Sequence, residues 1–326
     1  LLRALALSGM LLPALPTPAS ATTQVEPCAV ELIVLGIAQD AGMPQIGNPQ
    51  DPAWHDPALA RLAVSLALVD RRADPDSPRR WLFEATPDLR LQLQRLDRHA
   101  PSAGSGLGIA GIFLTHAHIG HYAGLIFLGH ESAGAREVPV HAMPRMAEFL
   151  RENGPWDQLV RYRNIRIEPL AENIAETLAD GIQVMPQRVP HRDEYSETVG
   201  YSIRGPEQSV YFLPDIDSFE RWESDFDIRI EDVIAAHDVV YLDATFHDDQ
   251  ELPGRDMSAI PHPRISTSMD RFDALPEAER AKVRFIHLNH SNPARYPDSA
   301  QSRAIGERGY SVAQEGEVVC LGGSAR

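Results

Sequence analysis

The stretch Ile109-Ala110-Gly111-Ile112-Phe113-Leu114-Thr115-His116-Ala117-His118-Ile119-Gly120-His121 decides how this chain is read. Ile109 to Leu114 is an apolar run of strand length and reads as a buried strand. His116 and His118 are two residues apart, so in extended chain they point to the same side. Gly120 permits a tight turn, and His121 then opens a helix running toward Gly129. Three imidazoles in six residues at a strand end serve no packing purpose. Neutral imidazole is a ligand for Zn²⁺, Fe and Mn, so a metal site at the end of this strand is expected.

The surrounding sequence alternates strands and helices. Glu31–Gly36, Leu62–Asp70, Arg80–Glu84, Val138–His141, Ile182–Met185, Val210–Leu213, Val239–Leu242, Arg284–Leu288 and Glu317–Leu321 read as strands. Pro87–His99, Pro144–Asn153 and Ser299–Gly309 read as helices, and Tyr162–Pro206 as a region of short strands. Ile37–Pro57 is rich in Gly, Pro, Asp and Asn and reads as a long loop, a kind of segment that is often functional. Strands dominate both halves, which implies two β-sheets packed face to face with helices outside.

Composition narrows the chemistry. Among 326 residues the apolar share is 43% and the charged share 23%, as in globular chains with a sizeable core. Thirty basic residues stand against 46 acidic ones, a net charge of −16, which disfavours nucleic acid and anionic lipid as partners. Two Cys exclude a disulfide-rich scaffold and a thiolate zinc finger, so any metal is held by nitrogen and oxygen. Neither a G-x-S-x-G elbow nor a phosphate-binding G-x-x-x-x-G-K-[ST] loop occurs.

Residues 1–21 carry Arg3, an apolar stretch from Ala4 to Leu15, and then Ala19-Ser20-Ala21. This pattern is expected to be a signal peptide, leaving a periplasmic or secreted protein from about Thr22 with no membrane insertion. Cys28 and Cys320 lie at the two ends of that mature chain. In an oxidising compartment they can pair and join the first and last strands; the alternative is two unrelated buried thiols.

The histidine triplet resembles the metallo-β-lactamase fold superfamily, whose signature is H-x-H-x-D-H after a strand, followed by a distant His, an Asp and a last His. The resemblance implies an α/β (α+β) fold, a four-layer αββα sandwich, with residues 22–326 as one domain. It also implies a ligand set. His116, His118 and His191 (in Val189-Pro190-His191) form one site, with Asp215 at the end of Tyr211-Phe212-Leu213-Pro214-Asp215 as a further ligand or bridge. His121, Asp215 and His287 form a second site, with His290 in reserve. Asp215 and His287 are also the candidates for catalytic roles. Gly120 departs from the signature, standing where the Asp belongs. One metal is therefore expected rather than two, with no further carboxylate unless Asp217 or Asp243 turns in. On this reading, Gly120→Asp should restore the second ion.

A closer resemblance is to the pyrroloquinoline-quinone biosynthesis protein B branch. It rests on Gly42-Met43-Pro44-Gln45, Glu84-Ala85-Thr86-Pro87-Asp88-Leu89-Arg90, Leu242-Asp243-Ala244-Thr245-Phe246, Pro261-His262-Pro263 with Ile265-Ser266, and His287-Leu288-Asn289-His290-Ser291-Asn292-Pro293. Two features depart from that branch. Its cysteine cluster is replaced by Gly47-Asn48-Pro49-Gln50, and the H-x-H-x-x-H triplet that the branch largely lacks is present. Asp88 resembles a position that supports the metal loop by hydrogen bonds. Asp243 and His262 are further candidates beside the site, Tyr122 and Tyr195 are possible pocket walls, and His247 reads as part of a solvated acidic loop.

Together these point to an exported metal-dependent hydrolase that uses metal-bound hydroxide on a carbonyl or phosphoryl group of a small molecule. The metal is zinc, one or two ions, with Fe or Mn as alternatives. The other readings are an iron-dependent oxidoreductase related to pyrroloquinoline-quinone biosynthesis, and a non-catalytic binding protein with a degenerate site.

Overall fold

Two seven-stranded sheets face one another in the computed structural model, which describes residues 28–103 and 106–324. The expected leader, 1–21, lies outside the described residues. The first sheet holds β1 (Cys28–Gly36), β2 (Ser65–Asp70), β3 (Arg79–Phe83), β4 (Gly111–Phe113), β5 (Val138–Ala142) and β6 (Ile165–Pro169). The second holds β7 (Glu176–Ala179), β8 (Ile182–Arg188), β9 (Val199–Arg204), β10 (Ser209–Leu213), β11 (Val239–Asp243), β12 (Val283–Ile286) and β13 (Ser311–Val312). The last strand, β14 (Val318–Ser324), returns to the first sheet and pairs antiparallel with β1. The orders are β14-β1-β2-β3-β4-β5-β6 and β13-β12-β11-β10-β9-β8-β7.

The sequence explains the layering. β10 (SVYFL) and β11 (VVYLD) are buried along their whole length, as near-continuous apolar strands must be when both faces of a sheet are covered. Between the sheets, Phe83 and Phe113 meet Tyr201 edge-on at ring separations of 5.6 and 5.7 Å. Outside the first sheet lie α1 (Leu89–His99), α2 (Ile119–Tyr122), α3 (Pro144–Glu152) and α4 (Trp156–Arg161), which bury Leu89, Leu96, Met146, Leu150 and Leu159 against it. Flanking the second are α5 (Phe219–Phe226), α6 (Ile230–Ala236), α7 (Ile265–Phe272), α8 (Glu277–Arg280) and α9 (Ala300–Glu307). Of these, α5, α6, α7 and α9 bury Phe219, Trp222, Ile234, Phe272 and Ile305. This is the αββα sandwich expected from the sequence, although α4, α5, α6, α7 and α8 had no sequence-based expectation.

Two links across the fold matter for the site. Cys28 and Cys320 form a disulfide joining β1 to β14, the pairing the sequence allowed. Such a cross-link is typically worth about 2–4 kcal/mol. Where β1 ends, the chain continues to Ala38, which bridges both Ala63 and Leu288. Leu288 N–H donates to the Ile37 carbonyl and Gln39 N–H to the Leu288 carbonyl, each at 2.8 Å. The first sheet is thereby bonded to the second beside His287. Among the described residues no helix is long and apolar enough to cross a membrane.

Candidate metal centre

Every ligand candidate lies just beyond a strand, which gathers them at one end of the sandwich. His116 and His118 follow β4, and His118 precedes α2, in which His121 is buried. His191 follows β8, Asp215 follows β10 and His287 follows β12.

These side chains form two clusters that share Asp215. The first is His116, His118, His191 and Asp215. His118 Nδ1 lies 2.9 Å from His116 Nε2 and 3.3 Å from His191 Nε2. Asp215 Oδ2 is 3.5 Å from His116 Nε2, and Oδ1 is 3.7 Å from His191 Nε2. The second is Asp40, His121, Asp215 and His287. His121 Nε2 is 3.1 Å from Asp215 Oδ2 and 3.3 Å from Asp40 Oδ1. His287 Nε2 is 3.5 Å from each of those same oxygens. Ligand atoms 2.0–2.1 Å from a zinc ion at tetrahedral angles stand about 3.3 Å apart, so both clusters have the spacing of a metal shell.

The outer nitrogens fix the tautomers. Thr115 Oγ1 donates to Glu84 Oε1 at 2.5 Å and so accepts from His116 Nδ1 at 2.9 Å, leaving the Nε2 lone pair aimed inward. Thr245 Oγ1 donates to Asp243 Oδ1 at 2.7 Å and accepts from His287 Nδ1 at 2.9 Å, with the same result. His121 Nδ1 donates to Glu84 Oε1 at 3.1 Å, and His191 Nδ1 to Asp217 Oδ1 at 3.0 Å. Oxygen partners of this kind orient metal-binding imidazoles and raise their basicity. His121 Nε2, His287 Nε2 and Asp215 Oδ1 are buried without an aligned hydrogen bond. Buried polar atoms are costly when unpaired, and a cation between them satisfies all three. The donor set, five imidazoles and two carboxylates, suits Zn²⁺ and also Fe or Mn.

Burial and then the neighbouring imidazoles push His116 and His118 below the ordinary imidazole value, which keeps their lone pairs available. Burial also opposes a charge on His121, but Glu84, Asp215 and Asp40 outweigh it and hold this ring well above the ordinary value. A cation entering the second cluster therefore displaces a proton. Burial pushes Asp215 up, yet the imidazoles around it keep its carboxyl well below the usual range.

Of the sequence candidates, His116, His118, His121, His191, Asp215 and His287 all converge. The reserve residue His290 joins neither cluster; burial and the nearby Arg295 hold its pKa down. Asp217 and Asp243 do not supply a missing ligand. Asp217 holds His191, while Asp243 Oδ1 accepts from the backbone and hydroxyl of Thr245 and Oδ2 accepts from Ile216 N–H and His262 Nδ1. In the trio Asp215, Asp243 and His262, the hydrogen bond joins Asp243 and His262, and His262 Nδ1 stands 3.4 Å from Asp215 Oδ1. His262 Nδ1 is committed to Asp243 at 2.8 Å, and the ring lines a cavity of 420 Å³ together with Asp217, Phe219, Met257 and Thr267. Tyr122 packs in the core against Trp156 rather than lining a pocket, and Tyr195 is exposed beside Phe149. His247 pairs with Asp248 outside both clusters. Asp88 bonds no residue of the His116–His121 segment: its Oδ2 accepts from Ala63 N–H at 2.9 Å and lies against Gly42, in the loop that carries Asp40.

The sequence reading missed Asp40, and the expectation about Gly120 is corrected by it. A Cβ added at Gly120 would lie 2.3 Å from Asp40 Cα, 2.6 Å from its Cβ and 2.7 Å from its Cγ. Gly120→Asp therefore has no room, and the second cluster is not short of a carboxylate. Glu84 was also missed as a histidine-orienting residue. Asp40, Glu84 and His287 are all non-glycine residues with left-handed backbone, at φ of 28°, 80° and 65°. Such conformations are uncommon and cluster at functional sites.

Comparisons with known proteins bear on the family and the fold. Residues 79–290 match the family model described as "Beta-lactamase superfamily domain". Coenzyme PQQ synthesis protein B of Ruegeria pomeroyi is 27% identical over 90% of this chain and 100% of its own length. The protein of that name from Xanthomonas campestris is 26% identical with the same coverage. Among solved structures, Zn²⁺-bound PqqB from Methylobacterium extorquens superposes with a TM-score of 0.71 at 21% identity, covering 89% of this chain and 99% of that one. A diphosphatase of the PhnP family gives 0.57 at 19% identity, covering 91% of this chain and all of its own. With its two facing sheets and histidine-rich strand ends, the chain belongs to the β-lactamase superfamily and fits its PqqB-like branch.

Proposed function

We propose that this chain is a metal-dependent hydrolase acting on a carbonyl or phosphoryl group of a small molecule, exported and held by its Cys28–Cys320 disulfide. The observation that carries this reading is the pair of ligand clusters sharing Asp215, each imidazole but His118 held by an oxygen within 3.1 Å at its outer nitrogen. His116, His118 and His191 would hold one cation, His121 and His287 a second, with Asp215 between them. Such ions polarise the bond under attack and lower the pKa of coordinated water.

The chain's own residues supply the rest. Glu84, Thr115, Asp217 and Thr245 keep four of the five rings aimed inward, and the outer Nε2 of His118 faces Glu194 Oε2 at 3.5 Å. His262, fixed through Nδ1 by Asp243, turns its ring to the cavity wall, where it can give a proton to a departing alkoxide or amine. The cavity beside it is of a size for a small substrate.

The test is metal analysis of protein purified without added metal, followed by turnover of ester, lactam and phosphodiester panels. Zinc with hydrolysis of any one class is the expected outcome. A second reading, an iron-dependent oxidoreductase, takes its link to coenzyme PQQ synthesis from the relatives' name and its metal from a donor set that also suits Fe. Bound iron with oxygen consumption and no hydrolysis would replace the first reading by it.

A further inference from the structure

We infer that Asp40, in the loop after β1, is the acidic ligand of the second cation, replacing the carboxylate that Gly120 removes from the histidine motif. The inference rests on the metal-dependent reading above.

Residue 120 and Asp40 compete for one space. The Cβ of any side chain at 120 would fall 2.3–2.7 Å from Asp40 Cα, Cβ and Cγ. Asp40 therefore fills the volume into which a residue-120 carboxylate would project. Its Oδ1 stands 3.3 Å from His121 Nε2 and 3.5 Å from His287 Nε2. Those two nitrogens are fully buried and lack an aligned hydrogen bond, so they point to a ligand independently of Asp40.

The loop is built to hold this position. Gln39 N–H donates to the Leu288 carbonyl at 2.8 Å, next to His287. On its other side Ile37 and Ala38 both donate to the Leu62 carbonyl, and Met43 and Arg61 exchange two backbone hydrogen bonds. Gly42 has φ of 72°, and a Cβ there would lie 2.6 Å from Asp88 Oδ2, so the turn that presents Asp40 needs glycine. Asp40 and Gly120 are thus one device written in two places: the carboxylate moved 80 positions toward the N-terminus, and its former position lost its side chain to make room.

The test is metal stoichiometry of the full chain after equilibration with Zn²⁺, with Mn²⁺ as a second probe. Wild type is expected to hold two ions, and Asp40→Ala one, with affinity at the second site lowered at least tenfold. Asp40→Asn, which keeps the volume, should behave as Asp40→Ala does. Gly120→Ala should also lose the second ion, because it displaces the loop. Unfolding midpoints measured in chelator verify that each variant folds. Two ions bound with wild-type affinity in folded Asp40→Ala and Asp40→Asn would overturn the role of Asp40 and leave the metal-dependent reading standing. One ion in wild type would also overturn it. No ion in wild type would overturn both.

Discussion

The two halves of the metal centre are built by different means. His116, His118 and His191 form a cluster whose first two members come from one extended segment, so local backbone geometry alone brings them together. Asp40, His121 and His287 come from three separate segments, and the bonds from the end of β1 to Leu288 of the opposite sheet hold the Asp40 loop beside His287. The first cluster needs no unusual backbone. The second uses left-handed residues at Asp40 and His287 and is supported by a third at Glu84. Left-handed backbone costs a non-glycine residue about 1–2 kcal/mol, so tertiary contacts must impose it. The His116–His118 pair is thus written in local sequence, while His191 in the first half and all of the second half depend on the closure of the sandwich.

The largest effect is expected where the halves meet. Asp215→Ala removes the carboxylate shared by both clusters, leaving the first without an acidic ligand and the second with Asp40 alone. Breaking a buried charge pair costs about 3–5 kcal/mol, so both ions should bind roughly 150- to 4,000-fold more weakly by competition with a chelator. Loss confined to one ion would show that Asp215 does not bridge.

Next come the residues that orient single rings. Asp217→Asn should weaken only the ion of the three-His cluster, and Glu84→Gln chiefly that of the Asp40 cluster, each about 10–100-fold. Glu84 also anchors Thr115 and through it His116, so a smaller loss at the first cluster is expected as well. Equal losses at both ions in the two variants would dissolve the distinction between the halves.

A histidine far from both halves gives the smallest effect and a control for burial alone. His237 donates to the Val233 carbonyl and accepts from Ser202, and burial holds its pKa below the ordinary 6.5. Below that value the unfolded chain binds the extra proton more readily than the folded one. Its contribution to stability is therefore intact above about pH 6.5 and falls away on acidification. His237→Gln should flatten the acid limb of the unfolding midpoint against pH while leaving metal stoichiometry unchanged. An acid limb identical to wild type would move its origin to other groups.

Legibility followed the same division. His116, His118 and His121 could be read because strand and turn spacing fixes where three rings point. His191, Asp215 and His287 were found because each follows an apolar strand in an order that the superfamily resemblance supplies. Asp40 was hidden in a loop of turn-forming residues, and nothing local distinguishes its carboxylate from a turn former. The available signal was indirect: a ligand set complete except at Gly120, and a long Gly- and Pro-rich loop returning to the same sheet edge. Glu84 was hidden as the last polar residue of an apolar strand. α5 and α6 escaped because Phe219–Ala236 is short and acidic, with its apolar positions split between two helices.

The most direct measurement is an anomalous-scattering map of the zinc-loaded full chain. Two peaks about 3.5–4 Å apart are expected, one on each side of Asp215, with the second in contact with Asp40 as well as His121 and His287. A single peak among His116, His118 and His191, or a second peak with Asp40 turned away, would contradict this.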